Sequence, residues 1–158
     1  MNFFNDNDKE YNENNNNENN NNENIDFAAI LTGREEVPVV DTLDTALATF
    51  QSKDNEDLKF CVKITDMSKI KEVSIDVGKH EKGETVAELY KSETPSDEVT
   101  GKLCEGDINS QDLKGPLQGK NTEELVKKIE TGEAYVNILT EDKPKGKVRG
   151  QIKKLDHI

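Results

Sequence analysis

Of the 21 basic residues in the chain only two are arginine, Arg34 and Arg149; every other one is lysine. Arginine presents a planar fork of donors that fits a carboxylate or a set of backbone carbonyls, which the compact lysine ammonium does not. Arg149 lies in the segment GKVRGQI at 146–152, shortly after the segment YVNIL at 135–139. Alternation in that earlier segment puts Tyr135, Asn137 and Leu139 on one face and Val136 and Ile138 on the other. The polar tips of Tyr135 and Asn137 then fall near Asp76 of a preceding strand. Two readings stay open for Arg149: it faces a ligand together with Asn137 and Asp76, or it staples the final strand to a neighbouring loop or an acidic partner.

Other chemistries find less support. Cys61 and Cys104 stand far apart, neither in a C-x-x-C pair nor with a histidine at metal-ligand spacing, which argues against zinc. Cys61 falls mid-strand and Cys104 at a strand start, away from the helix N-terminus or basic cluster that activates a thiol. There is no G-x-S-x-G elbow. His80 and His157 read as solvated surface side chains, since spacing names no acid–base partner for either. Asp41, Asp44, Asp54, Asn55, Glu56 and Asp57 sit in oxygen-rich loops, but without the D-x-[DN]-x-[DN]-G spacing of a calcium loop they read as solvated turns. No enzyme and no cofactor is expected.

The elements that must hold these residues are short strands. From Ile25 onward apolar residues alternate in runs broken by Gly, Pro, Asp and Asn, the pattern of an all-β sandwich or barrel. Phe27, Ala29 and Leu31 mark a first strand, with Pro38 interrupting pairing after it. Ala46, Ala48 and Phe50 share a face of the second. Leu58, Phe60, Val62 and Ile64 alternate with Lys59, Cys61 and Lys63, which points Cys61 away from the large apolar face. Val73, Ile75 and Val77 form another run, followed by Val86–Tyr90 and Leu103–Ile108. The last two strands, Tyr135–Leu139 and Val148–Ile152, are spaced for a hairpin around Pro144. One helix is predicted over 121–131, with Asn121 as cap, Glu124 at capping-box spacing and Gly132 as the stop. A single helical turn is predicted at 110–113.

Composition bounds the partners. Residues 1–24 hold 13 Asn, six acidic residues and one Lys, too little apolar surface to offset the entropy of ordering, and read as a disordered acidic tail ahead of one domain over 25–155. The net charge of −12, with lysines mixed among acids, argues against nucleic acid, whose phosphates call for clustered cations. No stretch approaches the ~20 apolar residues of a membrane span. Residues 1–5 show neither the basic start nor the apolar run of a signal peptide.

The segments LTGREEVP at 31–38, GEAYVNILT at 132–140 and GKVRGQI at 146–152 resemble the chordin domain (CHRD) family, over roughly Phe27 to Ile152. The matching positions include Tyr135, Asn137, Thr140, Arg149, Gly150 and Gln151. The resemblance implies an immunoglobulin-like β-sandwich or barrel with one short inserted helix, and a secreted or cell-surface module that binds a protein or glycan without catalysis. Its extracellular habitat favours a Cys61–Cys104 disulfide, worth ~4 kcal/mol on a chain-entropy account; two free thiols are the alternative. Members of the family carry a His-x-His pair and a third histidine on neighbouring strands, a set able to hold a metal with an open position. Here those positions are Ser74, Asp76 and Leu139. The rival reading, a small metal-binding or redox protein built on that face, is therefore degenerate in this chain, and a spacer domain is a third.

Overall fold

The computed structural model describes residues 25–53, 56–78 and 83–156. The readings of the 1–24 tail and of Asp54, Asn55, His80 and His157 lie outside the described residues.

Among the described residues nine strands form: β1 (Phe27–Thr32), β2 (Thr45–Ser52), β3 (Leu58–Met67), β4 (Ile70–Val77), β5 (Glu84–Lys91), β6 (Val99–Ile108), β7 (Ala134–Thr140), β8 (Val148–Gln151) and β9 (Lys153–Lys154). They pair antiparallel in the order β5-β4-β7-β8-β1-β2-β3-β6, with β9 beside β1. The two ends of that path, β5 and β6, approach each other, so the sheet nearly closes. Of the two architectures the alternation allows, the chain adopts a nearly closed, barrel-like sheet.

The period-two pattern supplies its interior. Along β3, Leu58, Phe60, Val62 and Ile64 are buried while Lys59 and Lys63 are exposed. In the β1–β2 pair, Phe27 faces Phe50, Ala29 faces Ala48 and Leu31 faces Ala46, all buried. Gly150 on β8 lets β1 come close, because a Cβ there would lie 2.1 Å from the Ile30 carbonyl oxygen.

β4 and β7 depart from simple alternation. Val73, Ile75, Val136 and Ile138 fill the barrel, yet Ser74, Asp76, Tyr135 and Asn137 on the other face are buried as well. Two irregular segments lie over this outer face: residues 33–40, which start in a 3-10 turn at Gly33–Glu35, and the β7–β8 turn at 143–146.

α1 (Thr122–Glu130) buries Leu125 and Ile129, and Gly132 takes a positive φ of 77° just beyond it. The capping box expected at Asn121 does not form: the Asn121 side chain makes no cap bond, and Glu124 turns to Lys127 instead. Thr122 anchors the helix start by donating its hydroxyl to the Glu56 carbonyl. The turn expected at 110–113 is a 3-10 turn at Ser110–Asp112, where Asn109 and Asp112 make the reciprocal side-chain caps.

Both cysteines are free thiols, so the disulfide favoured by the resemblance is not present. The register explains why. Cys61 stands opposite Glu105 on the outer face of β3, whereas Cys104 stands opposite Val62 and packs against the core. Directly opposed residues share a face and neighbours along a strand do not, so the two sulfurs leave the sheet on opposite sides. Burial pushes the Cys104 thiol up to about 12.

Candidate functional site

The outer face of β4, β7 and β8 is set by register. Asp76 stands opposite Tyr135, Ser74 opposite Asn137, Asn137 opposite Arg149, and Tyr135 opposite Gln151. The convergence of Tyr135 and Asn137 with Asp76 follows from this, because opposed residues of an antiparallel pair project to the same side.

Arg149 lies over the Tyr135 ring, its guanidinium carbon 3.5 Å from the ring centroid. The Tyr135 hydroxyl accepts a 2.7 Å hydrogen bond from the Gly83 backbone N–H, so the ring is fixed at both its face and its tip. Burial, the leading influence, raises the Tyr135 phenol above its ordinary pKa. Asp76, opposite Tyr135 in the β4–β7 pair, is 6% exposed, and its Oδ1 accepts 2.9 Å hydrogen bonds from the Ser74 and Thr85 hydroxyls.

Glu36, which alternation does not single out, is brought onto this face by the turn after Gly33. It is 6% exposed although its neighbour Glu35 is exposed. Burial pushes its carboxyl from 4.5 up to about 7; the positive charge of Arg149 opposes that rise and the negative charge of Asp76 adds to it. Asn137 donates through Nδ2 to the Lys145 carbonyl at 3.2 Å. Glu36 Oε2 and Asn137 Oδ1 are both buried and have no hydrogen-bond partner. Gly146 fits between them only without a side chain: a Cβ would lie 2.6 Å from both Glu36 oxygens and 2.8 Å from Asn137 Oδ1.

Together Glu36–Val40, Tyr135, Asn137, Lys143–Gly146 and Arg149 line a cleft of about 600 Å³. Its mouth is apolar, with Val37, Pro38, Val39 and Pro144, and its floor is polar. The arrangement can seat a small group or a projecting loop and orient its polar atoms, as ligand clefts of this size do.

The remaining expected site residues serve elsewhere. Thr140 is fully buried; its hydroxyl donates to Asp142 and accepts from the Lys143 N–H, which shapes the β7–β8 turn. That hydroxyl and Lys147 hold the Asp142 carboxyl below its ordinary range. Gln151 donates through Nε2 to the Gly132 carbonyl at 2.8 Å, tying β8 to the end of α1. At the family's histidine positions, Ser74 and Asp76 bond to each other, while Leu139 offers no ligand atom. One carboxylate beside a hydroxyl does not make a transition-metal site. Among the described residues no group of three or more His, Cys, Asp or Glu side chains gathers for a metal ion.

The CHRD domain family model matches residues 27–152, most of the chain and all of the cleft. The chain belongs to the CHRD domain family. Comparison with curated proteins and with solved structures gives no match. CHRD domains are non-enzymatic, typically extracellular modules, and no helix among the described residues of this one is long and apolar enough to cross a membrane. The only pointer to Glu36 in the sequence is that it lies within the CHRD-like segment at 31–38.

Proposed function

We propose that this CHRD domain is a non-catalytic binding module acting outside the cell or at its surface, and that its ligand enters the cleft between residues 36–40 and the 143–146 turn. The carrying observation is the pair of buried, unpartnered acceptors, Glu36 Oε2 and Asn137 Oδ1, on the floor of a cleft of about 600 Å³. Buried polar atoms are normally hydrogen-bonded, and those that are not mark places where something else completes them. The stacked Arg149–Tyr135 pair supplies a rigid wall at the same spot. A projecting protein loop or a glycan end fits these requirements: an apolar body against Pro38 and Pro144, and polar atoms at the floor.

A glycan array and a panel of secreted proteins, probed with the wild-type domain and with Val39→Asp, test this reading. Val39 is 68% exposed at the cleft mouth, so the substitution places a charge there without disturbing the core. A ligand whose binding is lost in Val39→Asp supports the cleft. Binding that survives unchanged puts the site on another surface.

A further inference from the structure

We propose that Glu36 and Asn137 form a proton-operated latch on the cleft: with a proton on Glu36 its carboxyl donates to Asn137 Oδ1 and ties the 33–40 segment to β7, and without that proton the segment loosens. The latch regulates the cleft proposed above, but it is a property of the free protein and is tested without ligand, so the two proposals fail independently.

Few other protein groups can satisfy this pair. Glu36 Oε2 and Asn137 Oδ1 lie within 2.8 Å of one common point and neither has a partner. Both atoms are acceptors when the carboxyl is ionised. Turning the Asn137 amide over does not help, because its Nδ2 already donates to the Lys145 carbonyl at 3.2 Å, and reversal would set two oxygens against each other there. A Cβ on Gly146 would meet both Glu36 oxygens and Asn137 Oδ1, so the 143–146 turn packs directly against the pair. In the free protein a proton on Glu36 supplies the missing donor, and a donor from the ligand takes its place when the cleft is filled.

The surroundings set the latch near neutrality. Arg149 on β8 favours the carboxylate, whereas burial and Asp76 on β4 favour the acid. Lys143 and Lys145 lie on the turn lining the same cleft. Tyr135 on β7 keeps its own proton, since its phenol is raised further. The segment itself is closed at its base: the Gly33 carbonyl accepts from the Glu36 N–H at 3.2 Å and from the Val40 N–H at 2.9 Å. Glu36 is thus a buried tie between this loop and the barrel wall.

Amide hydrogen exchange of the full ¹⁵N-labelled chain at about pH 5.5 and about pH 8, corrected for intrinsic rates, tests the latch. The Val40 amide of the wild type is expected to lose protection roughly tenfold or more at the higher pH relative to Leu31 in β1. In Glu36→Gln the introduced amide donates to Asn137 Oδ1 at every pH, so protection is expected to stay high throughout. Equal protection at both pH values in the wild type, or the same loss in Glu36→Gln, overturns the latch. Should the variant not fold, a ¹³C titration of the wild-type Glu36 carboxyl decides: a midpoint near 7 supports the latch, and one in the ordinary carboxylate range contradicts it.

Discussion

Arg149 of β8 covers the ring of Tyr135 on β7, 3.5 Å from guanidinium carbon to ring centroid. The two are diagonal neighbours, since Tyr135 opposes Gln151 and Arg149 opposes Asn137. A cation over an aromatic face gains up to ~2 kcal/mol when water is excluded, and Tyr135 is 3% exposed. A double-mutant cycle with Arg149→Lys and Tyr135→Leu, read by chemical denaturation, is expected to give a coupling of about 1 kcal/mol or more. Additive effects would show that the stack contributes shape alone.

Stability should fall as pH rises from about 4.5 towards neutrality and level off above it. Glu36 has its carboxyl raised from 4.5 unfolded to about 7 folded, so the native state binds the proton more tightly. Its contribution is fully present below about 4.5 and is lost progressively as pH climbs to about 7. At ~1.4 kcal/mol per unit the loss is at most of order 3 kcal/mol, reduced by the screening that water in the open cleft provides. Asp142, held low by Thr140 and Lys147, acts in the opposite sense only at acid pH, its contribution being lost as pH falls below the carboxylate range. Thermal unfolding followed from about pH 5 to about pH 8 should show a declining Tm that is flattened in Glu36→Gln. A wild-type Tm independent of pH over that span would contradict the assignment.

Gly150→Ala should destabilise severely. Its Cβ would lie 2.1 Å from the Ile30 carbonyl oxygen and 2.6 Å from the carbonyl carbon, both rigid backbone in β1. Relief requires β8 to move away from β1, which breaks the barrel beside the cleft. A loss of about 3 kcal/mol or more is expected by denaturant titration, as for overpacking against immovable atoms. A change under ~1 kcal/mol would show that the strands are not so tightly apposed.

Reductant should leave the melting temperature unchanged, because Cys61 and Cys104 project to opposite faces of the β3–β6 pair. Mass spectrometry after alkylation should find both thiols labelled in the unfolded chain with no reducing agent added. A fall of many degrees with reductant would reveal a bridge and a different register.

The strands were legible because their apolar residues alternate over most of each run, and the hairpin of β7 and β8 followed from Pro144 standing between two such runs. The same alternation located Tyr135, Asn137 and Asp76 on one face, since it needs only period two and the correct neighbour. Glu36 was not legible. Glu35 and Glu36 are adjacent and chemically alike, and only the backbone turn at Gly33 decides which is buried. Thr140 and Gln151 lie in segments that match the family, yet they hold the β7–β8 turn and the end of α1 rather than line the cleft. Sequence similarity marks such structural ties as strongly as it marks ligand contacts.

The most direct measurement is a ¹H–¹⁵N NMR screen of the full chain against a library of small polar and apolar fragments, which works whatever the natural ligand is. Fragments should cluster at the cleft, shifting the amides of Glu36, Val39, Val40, Asn137, Lys145, Gly146 and Arg149 together. Fragments that gather on another face, or a library in which none perturbs these residues, would contradict the assignment of the cleft as the binding site.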